Sequence, residues 1–201
     1  MMTMRKKENG KGKRGRGLAA AMAVALMALM LATGAAATTL VHMDLEALTG
    51  AASVVARVRV VSSEARWEGG EIYTFTVFEV SEMLKGAAPN LLEVRLIGGR
   101  VGSLRSTVDG VPRFRAGEEA FVFLERTRTG ALTVTGWVQG TFRIRRDAST
   151  GRETVRQDTS AVRVFDPESR QFREGGVRDL SAESFRQRVR EAVARQGGRT
   201  P

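Results

Sequence analysis

Three observations predict a mainly β fold: a small antiparallel barrel with a carboxy-terminal α-helix, preceded by a signal-peptide helix. Val54, Ala56, Val58 and Val60 alternate with Arg57 and Arg59, the period of two that turns one face of a strand toward a core. From Ile72 to Ile144, runs rich in Val, Phe, Leu and Thr are punctuated by glycine-containing turns, the pattern of successive strands. One capped amphipathic stretch of helical period follows, after Ser181.

The chain opens with a basic segment, Arg5 to Arg16, then the apolar run Leu18 to Ala32 and the small residues Ala35, Ala36 and Ala37. That order is the order of a secretory leader with an A-x-A cleavage site before Thr38. Gly17 to Met43 has no formal charge when His42 is neutral and is long enough to span a bilayer, so a retained signal anchor is the alternative to cleavage. Loss of the leader removes seven basic residues and Glu8, which lowers the formal charge from +10 to +4. The high overall basicity therefore does not by itself call for a polyanionic partner. No pair of adjacent arginines precedes the apolar run, which favours the general secretory route. There is no cysteine, hence no disulfide, no thiol nucleophile and no lipid-bearing Cys after the leader.

Asp44 is placed to cap a short helix through Leu45, Glu46, Ala47 and Leu48, ended by Gly50. The strand from Val54 and the stretch Ile72 to Leu84 are joined by the turn Trp67 to Glu71, a long hairpin. Along its second strand Tyr73, Phe75 and Val77 share one face, whereas Phe78, Val80 and Leu84 share the other. A bulge or bend near Val77 and Phe78 reconciles the two sets in a small barrel, and a strand buried on both faces is the rival reading. Leu92, Val94 and Leu96 form the inner face of a third strand, and Gly98 to Gly117 reads as a loop holding a short edge strand at Leu104 to Val108. Ala120 to Leu124 is a continuous apolar run suited to a central strand, and Thr129-Gly130 turns it into Leu132 to Thr135. After Trp137, Gln139 and Gly140, Phe142 and Ile144 face inward and Arg143 and Arg145 outward. Phe185, Val189, Ala192 and Val193 make the stripe of the terminal helix, with Leu180 as its hydrophobic staple and Glu191 and Arg195 spaced i,i+4. The domain reading is signal peptide 1–37, β-barrel 38–146, a polar segment with weak hairpins 147–178, and the helix 179–197.

Chemistry is sparse. His42 is the only histidine and stands near the expected mature terminus, and no serine lies in a G-x-S-x-G context. Glu71, Glu79, Glu82, Asp109, Glu118 and Glu119 read as turn or solvated strand residues, and no spacing suggests a metal site. Gly98, Gly99 and Gly102 echo a phosphate loop without the Lys-Ser/Thr that would complete it. No catalytic residue, cofactor site or metal site is assigned.

The stretches AASVVARVRVVSSEARWEGGEIYTFTVFEVSEMLKG, LIGGRVG, RFRAGEEAFVFLE and TGWVQGTFRI, in that order, resemble a group of secreted bacterial proteins of unassigned function. Their layout is similar to netrin-like and metalloproteinase-inhibitor-type OB barrels: an early hairpin ending in LKG, a central strand near a GE turn, and a later GxxQGxF element. The resemblance covers Ala51 to Ile144 and implies an OB-like barrel. Those inhibitors place an amino-terminal cysteine on a catalytic zinc and carry disulfides; this chain has no cysteine, so no functional residue transfers.

The expected function is an exported, non-enzymatic binding module, periplasmic or extracellular, whose partner is another exported or envelope protein. Candidate contact residues are Arg57, Arg59, Arg95, Trp137, Gln139, Arg143 and Arg145, for which simple solvation is the competing reading. Export argues against nucleic acid, and a membrane enters only through an uncleaved leader. The alternatives are an exported hydrolase with an unrecognised carboxylate site, or a signal-anchored protein with the same β domain outside.

Overall fold

The structure, a computed structural model, describes residues 39–157, 159, 162–173 and 176–198; the expected leader, 1–37, and all of the alternative anchor before residue 39 lie outside them. The first described elements are a short strand, β1 (Thr39–Val41), and a helix, α1 (Leu45–Ala51). Asp44 caps α1 as expected, its Oδ1 accepting from the Ala47 amide at 2.7 Å. The Val/Arg alternation becomes β2 (Val54–Glu68), which turns at Gly69 and Gly70 into β3 (Glu71–Lys85). Both turn glycines have positive φ, as a two-residue hairpin loop with right-handed strand twist requires.

The phase change in β3 has the foreseen result by a different route. The extra residue at that point is Val61 on β2, because Val60 pairs with Phe78 and Ser62 with Val77. Two further register shifts, at Val55/Ala56 and Arg57/Val58, bend the same hairpin. Bending lets it wrap around a barrel completed by β4 (Leu91–Ile97), β7 (Glu119–Arg126) and β8 (Leu132–Val134). Between β4 and β7 the expected loop carries the small hairpin β5 (Gly99–Val101) and β6 (Leu104–Ser106).

Five strands close a ring in the order β2, β3, β4, β8, β7 and back to β2, an OB-like order. The closure is antiparallel except between β4 and β8, where Val94 pairs with Leu132 in parallel. The one parallel pair arises because β8 pairs with β7 before it and fills the gap beside β4. One edge of β7 is shared, with β8 against Leu124 to Arg126 and β9 (Thr141–Arg146) against Ala120 to Val122. Thereafter β10 (Glu153–Gln157) continues the sheet outward from β9. A separate small sheet joins β1, β11 (Arg163–Asp166) and β12 (Gln171–Arg173), with β1 parallel to β11. The two-residue β13 (Leu180–Ser181) pairs with β10 and leads into α2 (Ala182–Gly197).

Two cores share β7, which explains its continuous apolar run. Ala120, Val122 and Leu124 fill the barrel with Val54, Ala56, Val58, Val60, Phe78 and Val94. Phe121 and Phe123 face the other way, into a second core with Phe142, Val155 and the α2 residues Phe185 and Val189. Phe142 and Ile144 therefore belong under the helix and not inside the barrel. The Phe185 ring lies 4.5 Å from Phe142 and 5.1 Å from Phe121, centroid to centroid, and packing of this kind holds α2 in place. The helix begins at Ala182, with Ser181 as the N-cap accepting from the Ser184 amide. The expected Glu191–Arg195 pair is replaced: Arg195 reaches Glu46 of α1, while Glu191 accepts from Gln187.

Candidate functional site

Four of the five outward arginines are committed to carboxylates of the same chain. Arg57 extends from β2 to both Glu119 on β7, at 2.7 Å, and Glu153 on β10, at 2.9 and 3.0 Å. Its side chain is only 15% exposed, and the hydrogen bond to Glu153 raises its affinity for its proton above the ordinary arginine level. Glu153 is held below the usual carboxylate range first by that bond and then by Arg146, against the opposing effect of burial. Arg59 pairs with Glu119, Arg95 with Glu68, and Arg143 with Glu118. Arg186 and Arg190 of α2 share Glu82 at 2.8 Å each. Arg57, Arg59, Arg146, Arg186 and Arg190 thus line a groove of about 650 Å³ together with Glu79, Glu82 and Glu119. The groove is a network of alternating charges and lacks the single-signed field that draws an anionic partner. Arg145 alone of the five is exposed without an ion pair among the described residues.

The other two candidates are structural. Trp137 is half-buried at the start of a short 3-10 turn, Trp137–Gly140, with its ring against Gly110. Gln139 is buried, contrary to its expected place on a contact surface. Its Oε1 accepts from the Met43 amide and its Nε2 donates to the Val41 carbonyl, both at 2.9 Å. Gln157 then donates to the Gln139 carbonyl and accepts from the Val177 amide at 3.2 Å. Two side-chain amides thereby tie β1, the barrel and the segment before α2 to one another. Buried amides must satisfy both donor and acceptor, and these do.

Those ties build a cavity of about 750 Å³ between the small sheet, α1, the start of α2 and the β9–β10 hairpin. Leu48 and Phe185 are fully buried in its floor, with Phe142 and Val164 nearly so, and Leu180 and Val177 flank them. The volume and the apolar floor with a few polar groups are those of a small-molecule site. The Thr159 hydroxyl, from a residue 5% exposed on this cavity, has no hydrogen-bond partner among the described residues. An unmatched buried hydroxyl costs about 1–3 kcal/mol, which an incoming hydrogen-bonding group would relieve. His42 lines the same cavity, and its ring makes no hydrogen bond to a hydroxyl or carboxylate among the described residues. Ser169, also on the wall, donates to Asp166 at 2.8 Å. No nucleophile and base are therefore linked there. Among the described residues no three of His, Cys, Asp and Glu gather as a metal-binding group, and no helix is long and apolar enough to cross a membrane.

The short motifs behind the family resemblance are packing devices. In LKG, Leu84 joins the second core, Lys85 donates to Thr49 and Gln196 across the two helices, and a Cβ on Gly86 would overlap the Ser53 carbonyl. In GxxQGxF, Gly136 takes φ 59°, Gln139 makes the ties above, a Cβ on Gly140 would overlap the Thr135 carbonyl, and Phe142 enters the second core. No family model, no curated protein and no solved structure matches the chain.

Proposed function

We propose that the protein is an exported binding module that receives a small ligand between its small sheet and its barrel. The observation that carries this reading is the cavity itself: an apolar floor from the second core, walls fixed by two glutamines bonded at both ends of their amides, and a buried Thr159 hydroxyl without a partner among the described residues. The charged outer faces act as scaffold, since their arginines are engaged internally. Export is supported by the basic, apolar and small-residue order of residues 1–37, and amino-terminal sequencing of secreted protein is expected to begin at Thr38. The binding reading is tested with Nile red, a neutral apolar dye. Its fluorescence should rise with the full chain and lose that rise in Val177→Trp, which fills the cavity; equal response in both variants overturns the reading.

Docking of another exported protein is the second reading. It is favoured by Trp67 and Leu104, 51% and 57% exposed, and separately by Arg145, which is exposed and has no ion pair among the described residues, since exposed aromatic and arginine side chains suit an interface. Crosslinking to a single partner that Trp67→Ser and Arg145→Ser abolish would select it.

A further inference from the structure

Thr159, His42, Gln171 and Arg188 stand out among the polar residues of the cavity, because their side chains have no hydrogen-bond or ion-pair partner among the described residues. Other polar groups on the wall already hold protein groups. The side chains of Gln139 and Gln157 are each bonded through both ends, Ser169 donates to Asp166, and Asp44 Oδ1 caps α1. A guanidinium can only donate, and a hydroxyl, an imidazole and a side-chain amide can also do so. The unpaired set is therefore suited to an acceptor, and best to an anionic one, because Arg188 brings a full charge that pairs with no carboxylate among the described residues. The remainder of the lining is aliphatic and aromatic, closed at the bottom by Leu48 and Phe185.

Building on the cavity as the binding site, we infer that its ligand is a free medium-chain carboxylate. The alkyl chain lies on the apolar floor, and the carboxylate accepts from Arg188 and Thr159 at the polar wall. Each methylene that the floor buries is worth about fourfold in affinity, and a charge-assisted contact to the head group about tenfold. Chain length and head-group charge are then separately readable.

The test is isothermal titration of the full chain with hexanoate, octanoate and octan-1-ol. Octanoate is expected to bind about tenfold more tightly than octan-1-ol and about 16-fold more tightly than hexanoate. Arg188→Ala, at an exposed position, should bring octanoate down to the level of octan-1-ol while leaving the alcohol and the melting temperature unchanged. Thr159→Val, which keeps the shape and removes the hydroxyl, should weaken octanoate in the same direction. Val177→Trp should abolish binding of both. Equal affinity for acid and alcohol, or a preference that survives Arg188→Ala, overturns the carboxylate assignment while the cavity reading stands. Octanoate binding that survives Val177→Trp, or its absence when Nile red still enters, likewise overturns the assignment. If Nile red does not enter either, the cavity reading itself falls.

Discussion

Replacing Arg57 by Met separates a scaffold arginine from a docking arginine. Methionine keeps an unbranched stem against β2 and removes only the guanidinium. Lost with it are three charge-assisted hydrogen bonds to Glu119 and Glu153, carboxylates whose side chains are 25% and 19% exposed. Fully exposed pairs are worth about 0–1 kcal/mol, and hydrogen bonds to buried charged groups about 1.5–3 kcal/mol. Arg57 lies between these limits, so about 2 kcal/mol is expected for the whole cluster. For a chain of this length that lowers the melting temperature by about 4–8 °C. A double-mutant cycle with Glu153→Gln should show coupling of about 1 kcal/mol. The pH dependence follows from Glu153, whose folded carboxylate is held below its ordinary pKa by Arg57. A depressed folded pKa gives stability that is present above the unfolded value, about 4.3, and is lost as pH falls through the folded value. Melting curves of wild type and Arg57→Met, followed by tryptophan fluorescence, should thus differ most near pH 7 and converge in acid. Equal melting temperatures at pH 7, or a gap that does not narrow in acid, would refute the scaffold argument and return Arg57 to the contact surface.

Phe185→Ala should cost about 3–5 kcal/mol in urea unfolding, because it removes a fully buried ring packed on Phe121 and Phe142. Gly140→Ala should cost about 1–3 kcal/mol by driving a methyl into the Thr135 carbonyl. It should also loosen the Gln139 ties, seen as faster amide exchange at Met43. Asp147 accepts from the amides and hydroxyls of Ser149 and Thr150, and the Ser149 hydroxyl leads in holding its pKa well below the usual carboxylate range. Asp147→Ala should therefore speed hydrogen exchange at those two amides at neutral pH. The wild-type turn should open only as strong acid carries the pH through that lowered pKa.

Residues on a single strand were legible where their surroundings are uniform. The alternation at Val54 to Val60 and the two-faced run at Ala120 to Leu124 each state their own burial, and Ser181 states where the last helix starts. Relations between strands were not. A phase slip in β3 shows that one strand of the pair must bulge, but only the register, Val60 to Phe78 and Ser62 to Val77, assigns the extra residue to Val61. The outward direction of the arginines was legible from period two, whereas their partners Glu119 and Glu153 lie 62 and 96 positions from Arg57. Gln139 was misplaced because an amide in a glycine-flanked turn ordinarily meets water; here it meets the backbone of residues 41 and 43. The cavity was hidden for the same reason. Its walls come from the link between β1 and α1, α1 itself, β9, β10, β11, β12 and α2, and the residues from 163 to 173 have too little period to announce a sheet.

The parallel pairing of β1 with β11 joins residue 39 to residue 163, whereas the last strand of the barrel ring ends at residue 134. Closing so long a loop in an unfolded chain is entropically unfavourable and slow, and a folded barrel shortens the path between its two ends. Assembly is thereby ordered in time: the barrel can close from residues 54 to 134, but the cavity exists only after the tail has emerged and met the first strand. A chain truncated before residue 163 would keep every strand of the barrel ring and still lack the cavity.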